Sequence, residues 1–85
     1  MKEVDTEDSF AYWLSKAKKG GKVVYFDGFL MYERQKCVMA GFDKSEFPQK
    51  IKAAMAAWRA YLEGGVVLLH RKRDAGEYEY IAIKS

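Results

Sequence analysis

Apolar side chains recur at three- and four-residue intervals in two segments of the chain, which predicts two amphipathic helices. The first helix is predicted over Thr6–Lys19, where Phe10, Trp13 and Leu14 fall on one face. Acidic residues precede this face and lysines follow it, the order that the helix macrodipole favours. Gly20–Gly21 should end the helix, because glycine adopts the left-handed cap conformation without steric cost.

The second helix is predicted over Ser45–Glu63, with Ser45 as its N-cap and Pro48 in its first turn. Its alanines favour helix intrinsically. Large apolar residues at helical spacing predict a continuous buried stripe, in which we expect Trp58 to be a core residue. The stripe consists of Phe47, Ile51, Met55, Trp58 and Leu62.

Two segments show hairpin signals. Lys22–Phe26 and Phe29–Tyr32 are apolar runs on either side of Asp27–Gly28, a pair that suits a type I′ turn. These runs predict a first hairpin. The following residues, 33–44, fit either a continued strand or a short helix, and Gly41 disfavours a long element of either kind.

A second hairpin is predicted from Val66–Arg73 and Tyr78–Lys84, joined by residues 74–77. With Ala75 and Gly76 as the turn, Arg73 faces Tyr78. Period-2 alternation then predicts a core face and an outer face. The core face would carry Val66, Leu68, His70, Ile81 and Ile83, and the outer face Val67, Leu69, Arg71, Arg73, Tyr78 and Tyr80.

The predicted fold class is therefore α+β, with two helices packed on antiparallel hairpins in the order α-β-β-α-β-β. A length of 85 residues predicts a single domain, residues 1–85, in which residues 1–5 form a flexible acidic start. A chain this short needs a dense core, and a content of 49% hydrophobic and 15% aromatic residues allows one.

The charge distribution is more basic than the net charge of +3 suggests. Residues 1–8 carry a net charge of −3, so the remaining 77 residues carry +6. Such an excess suits an anionic partner. The alternative is a solvated basic surface without a ligand.

The sequence contains no recognisable catalytic motif. His70 is the only histidine and lies in the middle of a predicted strand, which favours a structural role. Cys37 is the only cysteine, so neither an intramolecular disulfide nor a cysteine zinc site is expected. We predict a protein that is not an enzyme, uses no cofactor or metal, does not enter a membrane, and works in the reducing cytoplasm.

The most informative cluster is His70-Arg-Lys-Arg73, which approaches the tip of the second hairpin with two tyrosines returning beside it. Arginine can bind phosphate and tyrosine can stack on bases, so the pairing suits nucleic acid. A cross-strand cation–π ladder without a ligand is the alternative. The predicted nucleic-acid-binding residues are Arg71, Lys72, Arg73, Tyr78 and Tyr80, with Lys50, Lys52 and Arg59 adding phosphate contacts from the second helix.

An alanine-rich helix that ends in Gly-Gly and is followed by a hairpin with a basic tip resembles the end of a winged-helix domain. Three segments also resemble small uncharacterised proteins of tailed bacteriophages. They are Gly21-Lys-Val-Val-Tyr-Phe-Asp-Gly-Phe-Leu30, Ala56-Ala-Trp-Arg59, and Gly65-Val-Val-Leu-Leu-His-Arg-Lys-Arg73 continuing to Glu79-Tyr-Ile-Ala-Ile83. The early hairpin stands where a winged helix has its second helix. The resemblance implies a phage-encoded protein that binds DNA.

Two functions follow from these observations. The first is a non-enzymatic factor in transcription or genome handling that binds nucleic acid, DNA rather than RNA. The second is a small interaction module that binds and modulates a host or phage protein, through the four acidic residues near the start together with exposed aromatics such as Tyr12 or Tyr32. Either a monomer or a homodimer paired through a hairpin edge fits the sequence.

Overall fold

The computed structural model describes residues 2–28, 30–73 and 77–85. This part of the chain forms three α-helices and four strands, so the predicted α+β class is confirmed and the predicted helix count of two is wrong. The observed order is β-α-β-α-α-β-β. The elements are β1 (Lys2–Glu3), α1 (Glu7–Lys16), β2 (Lys22–Gly28), α2 (Leu30–Met39), α3 (Gln49–Leu62), β3 (Val66–Lys72) and β4 (Tyr78–Lys84), and a 3₁₀ turn, Lys44–Glu46, precedes α3.

The four strands form one mixed sheet in the order β1-β2-β4-β3. β1 runs parallel to β2, and the other two pairings are antiparallel. β1 lies where the sequence predicted a flexible start, and the Val4 amide donates to the Val24 carbonyl at 2.9 Å. Val4, the residue after β1, is buried because its side chain packs into the core cluster.

α1 begins at a capping box. The Thr6 hydroxyl accepts from the Ser9 amide, and the Ser9 hydroxyl accepts from the Thr6 amide. These two bonds satisfy donors that have no partner within the helix. Phe10 and Trp13 are buried as the apolar stripe predicts, with ring centroids 5.6 Å apart. The helix ends at Lys16, one turn earlier than predicted.

The predicted first hairpin is wrong. β2 pairs with β4 in the middle of the sheet, and Leu30–Met39 is helical. Asp27 is still paired with Glu79, whereas a type I′ turn would need a positive φ at both Asp27 and Gly28. Only Gly28 has one, with φ +119°, and it ends the strand. Phe29 lies outside the described residues.

α3 begins at Gln49, so the predicted helix 45–63 is divided at Pro48. Ser45 lies in the 3₁₀ turn instead of capping the helix. α3 lies over β2 and β3 and beside α1. Apart from Ile51, the residues that it buries are small, which allows the helix backbone to approach its neighbours closely. These are Ala53, Ala54, Ala57 and Ala60.

The second hairpin is confirmed, but its register differs from the prediction by one residue. Lys72, rather than Arg73, faces Tyr78, and Arg71 faces Glu79. The predicted turn residues 74–76 lie outside the described part of the chain. Because side chains alternate with a period of two, a slip of one residue exchanges the faces of one strand relative to the other.

β2 contains a bulge between Val24 and Phe26. The extra residue places both Tyr25 and Phe26 on the helix side, where their rings lie 6.2 Å and 5.8 Å from the ring of Tyr80. Val24 and Ile81 are also buried, but they lie outside the cluster that packs under the helices. The helices therefore cover one face of the sheet.

Candidate binding surfaces

The arginines predicted to bind phosphate are already paired with carboxylates. Arg71 places Nε and Nη2 each 2.6 Å from Oε1 of Glu79. Arg73 places Nη1 2.6 Å from Oδ2 of Asp27 and Nε 3.8 Å from Oε2 of Glu79. These residues form the hairpin tip, in which two carboxylates neutralise two guanidinium groups. Lys72 has no carboxylate within salt-bridge distance among the residues that the structure describes.

The predicted tyrosine face is wrong, because the register moves both tyrosines away from the arginines. Tyr78 and Tyr80 share the helix side of the sheet with His70. Their rings lie 5.3 Å and 5.7 Å from the His70 ring. Tyr80 also packs against the core cluster. The three rings form an aromatic cluster on the face of the hairpin opposite Arg71, which is paired with Glu79.

The three predicted contacts on α3 do not form one surface. Lys50 holds Nζ 5.0 Å from the centroid of the Phe26 ring, at the β1 side of the sheet. Successive residues of a helix are rotated by about 100°, so Lys52 and Arg59 lie on a different flank from Lys50. The eight predicted residues are therefore spread over the hairpin tip, the aromatic cluster and two flanks of α3.

The side chains that α3 leaves exposed are the large ones. The predicted buried stripe is wrong at its C-terminal end, where Trp58 is 55% and Leu62 is 67% exposed, although Phe47 and Ile51 are buried. Alanines occupy the buried face, so the stripe of large residues is turned away from the sheet and towards α2. Met55 lies between these positions and is half-buried.

A groove opens between the two helices, with a volume of about 330 Å³. Met31 of α2 is 83% exposed on one rim, and Trp58 and Leu62 of α3 lie on the other. Its lining residues, which define the α2–α3 groove, are Tyr25, Leu30, Met31, Arg34, Ile51, Ala54, Met55, Trp58, Arg59, Leu62 and Leu68.

Tyr25 lies in the part of the groove lining that the sheet provides. Burial, and to a lesser extent the neighbouring Tyr80, raises the pKa of Tyr25 from 10.0 to about 12. Desolvation disfavours the tyrosinate form, so this side chain keeps its proton further into the alkaline range than an exposed tyrosine does. The lining contains apolar, tyrosine and arginine side chains but no carboxylate among the described residues. The groove is therefore an apolar site with a positive rim.

Sequence reasoning missed the groove because it assigned α3 a single apolar face. α3 has two: small alanines in one register, and large side chains in another. A short domain has a single core, and only one flank of a helix can pack into it. When a helix is apolar on two flanks, the second flank therefore stays exposed to solvent. That second flank was the signal available in the sequence.

A second feature lies at the opposite end of the sheet from the hairpin tip. The Gly20 amide donates to the Lys84 carbonyl and the Lys84 amide to the Gly21 carbonyl, both at 2.8 Å. These bonds hold the end of α1, the start of β2 and the end of β4 together. The lysine end comprises Lys16, Lys18, Lys19, Lys22 and Lys84.

The lysine end has little acidic compensation. No aspartate or glutamate occurs between Asp8 and Asp27 in the sequence. All the ion pairs among the described residues lie at the hairpin tip. The arrangement is compatible with solvated lysines at a helix C-terminus, where positive charge is favoured, and with a phosphate-binding surface.

None of the helices in the described ranges combines the length and the apolarity needed to cross a bilayer. A scan against protein-family models found no match, and searches of curated proteins and of solved structures found none either. No relative therefore transfers a function to this chain.

Proposed function

We propose that this chain is a non-enzymatic interaction module whose α2–α3 groove receives an apolar segment of another protein. The observation that carries the proposal is the exposure of Met31, Trp58 and Leu62 around one groove. Scattered apolar residues are normal on a protein surface, but large ones clustered on a concave site are typical of binding surfaces.

The energetics support a binding role for these side chains. Burying the exposed part of side chains of this size supplies on the order of 1–2 kcal/mol each. Trp58 also packs against Tyr61, with ring centroids 5.3 Å apart and an interplanar angle of 36°, and this contact restricts its side chain before a partner binds. Methionines such as Met31 and Met55 adapt their shape to a partner at low cost.

The test is affinity capture from a lysate of the source cells, treated with nuclease at about 0.5 M salt to remove phosphate-driven binding. Met31 and Met39 provide a matched pair, because they lie on the same helix and are 83% and 79% exposed, while only Met31 lines the groove. We expect M39E to retain the protein that the wild type captures, and M31E and L62E to lose it. Retention by all three variants, or recovery of nucleic acid alone, would overturn the proposal.

The second candidate is nucleic-acid binding, which the lysine end favours over the hairpin tip. Among the described residues, no carboxylate lies within salt-bridge distance of its lysines, whereas the tip arginines are neutralised. The resemblance to winged-helix and tailed-phage proteins belongs to this candidate and stays a prediction. DNA is the preferred ligand because the winged-helix resemblance implies it, and phosphate contacts would supply most of the non-specific affinity.

Fluorescence anisotropy with duplex and single-stranded DNA at several salt concentrations tests this candidate. We expect the triple change of Lys18, Lys19 and Lys22 to alanine to flatten the slope of log K against log salt by about 2–3 units. A folded wild-type chain that binds neither form of DNA below ~100 µM at ~50 mM salt would remove the candidate, since non-specific binding is usually tighter than this.

A further inference from the structure

Two of the four arginines line the α2–α3 groove, and they differ from the other two in their surroundings. Arg71 and Arg73 are paired with carboxylates at the hairpin tip. Among the residues that the structure describes, no carboxylate lies within salt-bridge distance of Arg34 or Arg59. Both of these arginines are exposed. The positive rim of the groove is therefore available to an incoming anion.

Resting on the proposed function, we infer that the occupant of the groove is an amphipathic helix with carboxylates flanking its apolar stripe. Arg34 comes from α2 and Arg59 from α3, so the two guanidinium groups belong to opposite walls of the groove. Aspartate or glutamate on the two edges of a helix would meet them while its apolar face covers the lining. Arginine suits this role because its planar fork binds carboxylates in a bidentate manner.

The length of the site also fits a helix. Met55, Trp58 and Leu62 follow the spacing i, i+3 and i+7, which spans about 10 Å at 1.5 Å per residue. That is two turns of wall, the same length as the i to i+7 anchor span of an amphipathic helix that binds along a groove.

A small amphiphile covers this surface less completely. The groove itself holds about 330 Å³, the low end of the range for small-molecule sites. Much of the apolar surface lies above it, on the rims, where Met31 is 83% and Leu62 is 67% exposed. A molecule small enough to sit inside the groove would leave these two side chains in water, whereas a helix laid across the groove covers both.

The test uses two designed peptides of about 16 residues, long enough to populate helix. They share one leucine stripe at i, i+3, i+4 and i+7 and differ only in carrying glutamates or lysines on the flanking positions. Binding is followed by the fluorescence of Trp58 in a W13F background, so that the buried Trp13 does not contribute. Decanoate serves as the small-amphiphile probe.

At ~50 mM salt, we expect the glutamate peptide to bind about 5- to 10-fold more tightly than the lysine peptide, which corresponds to two exposed charge pairs. The R34E/R59E variant should invert this preference, and R34Q/R59Q should abolish it. M31E should weaken both peptides and M39E neither.

The outcomes separate this inference from the proposed function. Equal binding of the two peptides, or a preference that persists in R34Q/R59Q, overturns the acidic helix and leaves the groove in place. Binding of decanoate alone overturns the helix in favour of a small amphiphile. Capture of a protein from lysate in an M31E-sensitive manner, with neither peptide bound, also overturns the helix and retains the proposed function.

Discussion

Arg71 and Glu79 face each other across β3 and β4, and two guanidinium nitrogens of Arg71 lie 2.6 Å from the same carboxylate oxygen. Glu79 is 8% exposed, and among the residues that the structure describes it is the only charged residue that is buried. A carboxylate in this position needs cations to offset its lost hydration. The hairpin tip therefore stabilises Glu79, and its arginines cannot be counted as free phosphate ligands.

This pairing changes what removal of the tip should do to DNA binding. From the sequence, changing Arg71, Lys72 and Arg73 to alanine should flatten the log K versus log salt slope by about 2–3 units. Because both arginines are neutralised by carboxylates, we expect the triple change to flatten this slope by only about 1 unit, which comes from Lys72. Anisotropy titrations of DNA with this variant and with the variant in which Lys18, Lys19 and Lys22 are alanine compare the two salt slopes. A drop of 2–3 units at the tip would show that DNA displaces the carboxylates.

The same pairing predicts a cost in stability for Glu79→Gln. The amide keeps the shape of the side chain but removes the charge that two arginines contact. Because Arg71 is 59% exposed at its side chain, solvent screens the pair, and we expect a loss of about 1 kcal/mol in the free energy of unfolding. Urea denaturation measures it. Glu77→Gln, at an exposed position, is the control and should stay within about 0.5 kcal/mol of the wild type. Equal effects of the two changes would contradict this account.

The elements that local chemistry determines were predictable from the sequence. α1 begins within one residue of its predicted start, Phe10 and Trp13 form its buried stripe, and β3 pairs with β4 as an antiparallel hairpin. In each case, the residues that carry the signal are neighbours along the chain or across one turn.

The predictions that were wrong depended on distant partners. Asp27–Gly28 has the composition of a hairpin turn, but β2 pairs with β4, which lies far along the chain. Residues such as Leu30 and Met31 are good helix formers, and the segment after Gly28 follows that preference. The burial of Trp58 likewise depended on which flank of α3 met the sheet, and the alanine flank did.

Gly28 should be costly to replace. Its φ of +119° belongs to a region that residues with a Cβ rarely adopt, and an added Cβ would lie 3.3 Å from Oε2 of Glu33. We expect Gly28→Ala to lower the free energy of unfolding by about 1–3 kcal/mol. Gly65→Ala is the matched control, because Gly65 has no positive φ and the nearest atom to its Cβ would be 3.5 Å away. Thermal or urea unfolding distinguishes the two, and equal stabilities would mean that the strand end adapts to a side chain.

Tyr25 should make stability depend on pH in the alkaline range. Burial, and then Tyr80, raises its pKa from 10.0 to about 12. Between these values, the unfolded chain loses the Tyr25 proton while the folded chain retains it, so the unfolded state binds fewer protons and stability falls as pH rises. The contribution of neutral Tyr25 to the free energy of unfolding is fully present below pH 10 and is lost by about pH 12. The loss amounts to at most about 1.4 kcal/mol for each pH unit.

Phenylalanine at this position removes the ionisable group and keeps the ring. Urea unfolding at half-unit steps from pH 9 to 12 should therefore show a shallower loss of stability in Y25F than in the wild type. Y12F is the control, because Tyr12 is 61% exposed and should leave the wild-type profile unchanged. Profiles for Y25F and the wild type that run parallel between pH 10 and 12 would mean that water reaches the Tyr25 hydroxyl. Water would then also reach the part of the α2–α3 groove lining that the sheet provides. That part of the lining would lose the apolar character on which peptide binding depends.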